Sequence, residues 1–137
     1  VLRRNGLLIA RGIRRWAPAL DGMSRDILSD PAFARIVERD LIDGRHQNPT
    51  DRLEFFPTAY FHRPEEVRKE DSDVGLDVEG LYGVEGPGWM LPDFMDRWSD
   101  ERRREDLLRL ARMLESEPAM LGSSAHLLVA ARKRTAT

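Results

Sequence analysis

Two short apolar runs constrain this chain more than any other feature. Leu7-Leu8-Ile9-Ala10 follows Asn5-Gly6 near one end, and His126-Leu127-Leu128-Val129-Ala130-Ala131 stands near the other. Neither alternates with polar residues. Continuous runs of this kind suit strands buried on both faces, as in the sheet of an α/β fold. A third strand is expected over Leu76 to Val84, where Val78 is followed by Leu81-Tyr82-Gly83-Val84. Three strands make a narrow sheet. The first has no strand before it, so one row of its hydrogen-bonding groups would lie open at an edge.

Helices are expected between these strands. Leu20, Met23, Ile27 and Leu28 recur at helical spacing after Pro18. Asp30-Pro31 marks a second helix, with an N-cap acceptor followed by proline at the first helical position. Its stripe reads Phe33, Ile36, Val37 and Leu41, and Gly44 falls at the C-cap. Residues 45–59 show no period and read as a long loop, the kind that is functional or disordered in compact domains. Arg63-Pro64-Glu65-Glu66 opens a third helix, poor in apolar residues, with Asp71 where an inward residue is expected and Gly75 at its end. Trp89 to Trp98 reads as an aromatic-rich short helix or loop. Ser99 is the expected cap of a long helix over Asp100 to Ser116 whose buried stripe is Leu107, Leu110, Ala111 and Leu114. Arg132 to Thr137 reads as a polar tail.

Composition removes several function classes. The 137 residues carry 22 basic and 24 acidic side chains, and a net charge of −2 argues against an electrostatic footprint for nucleic acid or an anionic membrane. No cysteine is present, so disulfides, thiolate zinc sites and cysteine nucleophiles are excluded. No apolar run approaches the roughly 20 residues of a spanning helix, and a cytoplasmic protein is expected. His46, His62 and His126 share no metal-ligand spacing. The chain opens with Val1-Leu2-Arg3-Arg4 rather than methionine, which reads as processing or as part of something longer.

Short sequences then point to a family. Val1-Leu2-Arg3-Arg4-Asn5-Gly6-Leu7-Leu8 resembles the segment leading into the fifth strand of class I S-adenosylmethionine-dependent methyltransferases, Rossmann-like enzymes in which a Leu-Arg/Lys-Pro-Gly-Gly turn precedes that strand. Arg4 and Asn5 depart from the pattern, although Asn tolerates left-handed backbone angles. Tyr60-Phe61-His62-Arg63-Pro64-Glu65-Glu66 resembles the way into the helix before strand six. Gly75 to Gly86 resembles that turn and strand, and His126 to Ala131 resembles strand seven. The resemblance implies an α/β fold in which residues 1–134 form the C-terminal part of one methyltransferase domain, strands five to seven, the last two an antiparallel hairpin. Residues 14–59 would be a lid and substrate insertion, and 135–137 a tail. It also implies that the cofactor, S-adenosylmethionine, is held mostly by a glycine-rich half outside this sequence. Gly80, Gly83, Gly86 and Gly88 do not replace that loop, because their spacing is wrong and Pro87 lacks an N–H.

Methyl transfer from a sulfonium is an in-line displacement that needs geometry, a dry pocket and sometimes a base. His62 is the candidate base, beside Tyr60, which would shape a small-molecule acceptor pocket. The alternative is that Tyr60 and Phe61 pack under the lid and His62 helps to cap the helix. Arg14, just past the first strand, is a candidate for an anionic acceptor group, since ligands bind beyond the carboxyl ends of strands in such sheets. A solvated or salt-bridged arginine is the alternative. Glu85 and Trp89 are candidates at the pocket mouth, with Trp89 as a buried anchor the competing reading. His126 reads as structural because it starts a strand. Arg102-Arg103-Arg104 is flanked by acids and reads as a solvated face. A second reading from a different class is a non-enzymatic α+β interaction module. In either case the first strand needs a neighbour, from a homo-oligomer or from a missing N-terminal half.

Overall fold

The computed structural model describes residues 2–134, and the expected tail at 135–137 lies outside the described residues. The elements run β1 (Leu7–Ile13), α1 (Ala17–Ser24), α2 (Pro31–Asp43), β2 (Arg45–His46), β3 (Ala59–Tyr60), α3 (Pro64–Asp73), β4 (Leu76–Gly83), α4 (Phe94–Ser99), α5 (Glu101–Leu114) and β5 (His126–Lys133). They form a small α/β protein on a three-stranded antiparallel sheet ordered β1-β5-β4. The last strand is the central one. It runs antiparallel to both neighbours, so β1 and β4 are parallel to each other. β2 and β3 make a separate two-residue ribbon within the segment expected to be loop.

β1 is paired on one side only. Its seven residues match β5 from Leu7 opposite Arg132 to Ile13 opposite His126. The turn before it closes with the Gly6 N–H donating to the Arg3 carbonyl at 2.9 Å, and Asn5 sits at φ 58°, the left-handed angle its side chain tolerates. β5 extends past Ala131 to Lys133, so Arg132 belongs to the sheet rather than to a tail. There its guanidinium meets Glu79 at 2.7 Å.

Burial of β1 on both faces does not hold. α3 covers one face, where Val67 packs with Leu81, Leu121, Leu127 and Val129 and with half-buried Ala10 and Val78. Leu7 and Ile9 point to the opposite face and stand 47% and 61% exposed. The strand is apolar without alternation, yet among the described residues only one of its faces is covered.

α2 forms as its ends dictate. Asp30 Oδ1 accepts from the N–H groups of Ala32 at 2.8 Å and Phe33 at 3.3 Å. Gly44 ends the helix at φ 75°, with the Phe61 carbonyl packed where a Cβ would go. The buried face differs in one position: Asp40 is 1% exposed, whereas Leu41 turns outward at 39%. α5 is capped by Asp100, whose Oδ1 accepts from the Arg103 N–H at 2.8 Å, and not by Ser99, which donates to the Met95 carbonyl instead. Its stripe is only half-buried and excludes Leu110, 47% exposed, because α5 packs on α4 and the turn at Gly86–Met90 rather than on the sheet. A second apolar cluster, Phe33, Ile36, Val37 and Phe55, lies under α1 and α2.

Candidate functional site

A cavity of about 270 Å³ opens between the α2 cluster and the sheet. It lies beyond the carboxyl end of β1, marked by Ile13, and beside the start of β5, marked by Ala125 and His126. Crevices at that end of parallel strands are where open α/β sheets bind ligands. Phe33, Phe55, Phe56, Phe61 and Trp89 wall it, and Asp21, Arg25 and Glu54 stand among its lining residues. The aromatic rings brace one another, with Phe33 and Phe55 centroids 5.1 Å apart and Phe56 and Phe61 6.3 Å apart. The stretch between α2 and α3 thus supplies three of the five aromatic walls.

His46 fixes that segment. Its ring lies 4.7 Å from Phe61, centroid to centroid. Nδ1 is 2.7 Å from Asp40 Oδ2, and Nε2 is 2.9 Å from the Phe55 carbonyl and 3.4 Å from that of Phe56. Acceptors face both nitrogens, the arrangement that suits an imidazolium donating from each. Burial on its own lowers the His46 pKa. Hydrogen bonding and charge attraction from Asp40, helped by the two carbonyls, outweigh that and raise it above the ordinary imidazole value.

Behind the wall stands Arg15. Its Nη2 has four acceptors around it, both Glu66 oxygens at 2.8 Å, the Tyr60 hydroxyl at 3.1 Å and the Asp43 carbonyl at 3.2 Å, while Nε donates to the Phe61 carbonyl at 3.3 Å. One buried guanidinium therefore ties the end of α2, β3 and the first turn of α3 into a single frame.

The residues singled out from sequence are divided by this geometry. Phe61 turns into the cavity, but its neighbours Tyr60 and His62 do not line it. His62 packs over Gly12, its Nε2 lies 3.3 Å from Glu70, and its ring meets Tyr60 edge-on at 4.8 Å. Tyr60 is spent on Arg15. Arg14 is 1% exposed and does not line the cavity either. It lies over the Trp16 ring at 5.2 Å, its Nε and Nη1 lack partners among the described residues, and burial lowers its pKa although Glu65 offsets part of the effect. Trp89 does line the cavity, anchored by Nε1–H donation to the Ser123 carbonyl at 2.8 Å.

Glu85 is one residue removed from the cavity and holds a residue that lines it. Its Oε2 accepts from the His126 backbone N–H at 3.0 Å, and its Oε1 pairs with His126 Nδ1. His126 Nε2 has no hydrogen-bond partner among the described residues. A carboxylate that engages one ring nitrogen fixes the tautomer and leaves the other nitrogen as an acceptor.

The sequence alone does not point to His46 with Asp40, to the phenylalanine walls at 33, 55 and 56, or to the pairing of His126 with Glu85. One signal was present: Asp40 continues the Phe33, Ile36, Val37 stripe, and a carboxylate on a buried face needs a partner.

These residues do not fit S-adenosylmethionine. Gly80 and Gly83 lie in β4, and the Gly86 N–H is already given to Ser124 Oγ at 2.8 Å. Among the described residues no group of three or more His, Cys, Asp or Glu side chains could hold a metal ion, and no helix is long and apolar enough to cross a membrane. No protein-family model matches the chain, and no curated protein matches it.

Proposed function

We propose that this chain is the substrate-side, C-terminal part of a class I S-adenosylmethionine-dependent methyltransferase domain that acts on a small-molecule acceptor. One observation carries the reading: the last strand returns antiparallel between two parallel strands, and an aromatic cavity opens at the carboxyl ends of that parallel pair. The free side of β1 and the uncovered face bearing Leu7 and Ile9 suit a sheet that continues, with the glycine-rich strands that hold the methyl donor on that side. In this reading the present residues bind and orient the acceptor, exclude water from it and accept its proton. The donor supplies the methyl sulfonium and is held elsewhere.

Calorimetry with S-adenosylmethionine and its demethylated product tests this. The product of the complete reading frame is expected to bind both tightly, and the 137-residue chain weakly or not at all. Tight stoichiometric binding by the short chain, or none by the complete protein, overturns the reading.

The open β1 edge also supports a second reading, an interaction module that pairs through that strand with another copy. Sedimentation at several concentrations separates the two, since a monomer at every concentration removes the module.

A further inference from the structure

We infer that the cavity takes an uncharged aromatic hydroxyl compound of one or two rings, and that His126 Nε2 accepts its hydroxyl proton while Glu85 positions the ring. The inference deepens the methyl-acceptor reading and rests on it.

The walls decide the shape of the ligand. Five aromatic rings around about 270 Å³ leave room for a flat, small molecule and reward stacking over an aliphatic chain. The rim decides its charge. Both acids there are already paired, Asp21 with Arg25 at 2.9 Å and Glu54 with Arg52 at 2.7 Å. An anionic ligand would have to compete with these carboxylates for cations they already hold, so an acceptor that arrives neutral is favoured.

The two imidazoles of the cavity decide the chemistry. His46 has both nitrogens engaged, by Asp40 on one side and by backbone carbonyls on the other, and has no lone pair to offer. His126 differs. Its Nδ1 is held by Glu85, and Nε2 is unpartnered among the described residues. With Nδ1–H donated to the carboxylate, a neutral ring presents the Nε2 lone pair to the cavity. The O–H bond of the bound compound breaks, its proton moves to Nε2, and the electron pair stays on oxygen as a phenolate. The resulting imidazolium is stabilised by Glu85, and nothing else is consumed. Glu85 touches no ligand and is a positioning residue.

4-Nitrophenol reports this directly, because its anion is yellow and its neutral form is not. The probe is titrated with the 137-residue chain at a pH where free probe is mainly neutral. The anion-to-phenol ratio of bound probe is expected to rise about tenfold over that of free probe. His126→Gln, which keeps volume and polarity, is expected to bind the probe without that rise, and Glu85→Gln to reduce it. Circular dichroism confirms folding of each variant, and Glu85→Gln carries the test alone if His126→Gln does not fold. Binding without ionisation, ionisation that survives in His126→Gln, or no saturable binding overturns the inference. Each of these results leaves the donor-binding experiment above untouched, so the two failures are distinguishable.

Discussion

Asp40 Oδ2 stands 2.7 Å from His46 Nδ1, and the two side chains are 1% and 2% exposed. The pair joins the last turn of α2 to the phenylalanine segment, and it ties stability to pH. His46 has a raised pKa in the fold, so it binds its proton more tightly there than in the unfolded chain. Its contribution is therefore complete below the ordinary imidazole value of about 6.5 and is lost as pH rises through the raised value. Urea unfolding across this range is expected to show stability falling with pH. His46→Asn is expected to flatten that decline and to lower stability at the acid end. A decline that persists in His46→Asn contradicts the assignment.

Asp71 works against the fold. Its Oδ2 is buried without a partner among the described residues, and burial, aided by the neighbouring Glu70, raises its pKa. The folded state penalises the carboxylate above that pKa, and the penalty fades when the group is protonated. Asp71→Leu should stabilise the protein by about 1 kcal/mol at neutral pH, with a smaller gain in acid. Thermal melts at both pH values check it, and a loss of stability at neutral pH is the contrary result.

Much of the fold could be read from the chain, and the reason is local. Asp30-Pro31 and Gly44 are backbone instructions, and α2 begins and ends where they stand. Asp71 was visible as a misfit on a weak stripe. The one-sided burial of β1 was not readable, because an apolar run marks a strand without saying which of its faces is covered. The site was harder still. His62 and Phe61 are adjacent, yet an extended backbone sends them to opposite sides, and only the folded packing of Phe61 on His46 shows that Phe61 faces the cavity. His126 looked structural at a strand start. Its pairing with Glu85, 41 residues earlier, is a contact that no local pattern records.

Arg15 is the strut that keeps this arrangement in place. Its side chain is 4% exposed, and removal leaves Glu66 without the cation that sits between its two oxygens. Arg15→Met is expected to cost about 3 kcal/mol in urea unfolding and to weaken 4-nitrophenol binding, because the Phe61 carbonyl loses its anchor. Arg15→Lys should recover less than half of either loss, since an ammonium cannot serve Glu66 and Phe61 with one planar fork. Full recovery by lysine would contradict this role.

The Phe55 ring, 2% exposed, belongs to both the α2 cluster and the cavity wall. Phe55→Ala should destabilise by about 3–5 kcal/mol. Trp89→Phe keeps a ring but loses the bond to Ser123, and should weaken probe binding with little change in stability. Melting curves and probe titrations on the two variants separate wall from core, and equal effects on both readouts would contradict the distinction.

Methyl transfer itself is the most direct measurement. The protein made from the complete reading frame is supplied with S-adenosylmethionine labelled in its methyl group and with uncharged phenols of one and two rings. Labelled small-molecule product is predicted, with Phe61→Ala raising KM for the acceptor about tenfold while donor binding is unchanged. Turnover that leaves every small molecule unlabelled, or a Phe61→Ala protein whose acceptor KM equals that of the unaltered protein, would contradict the account.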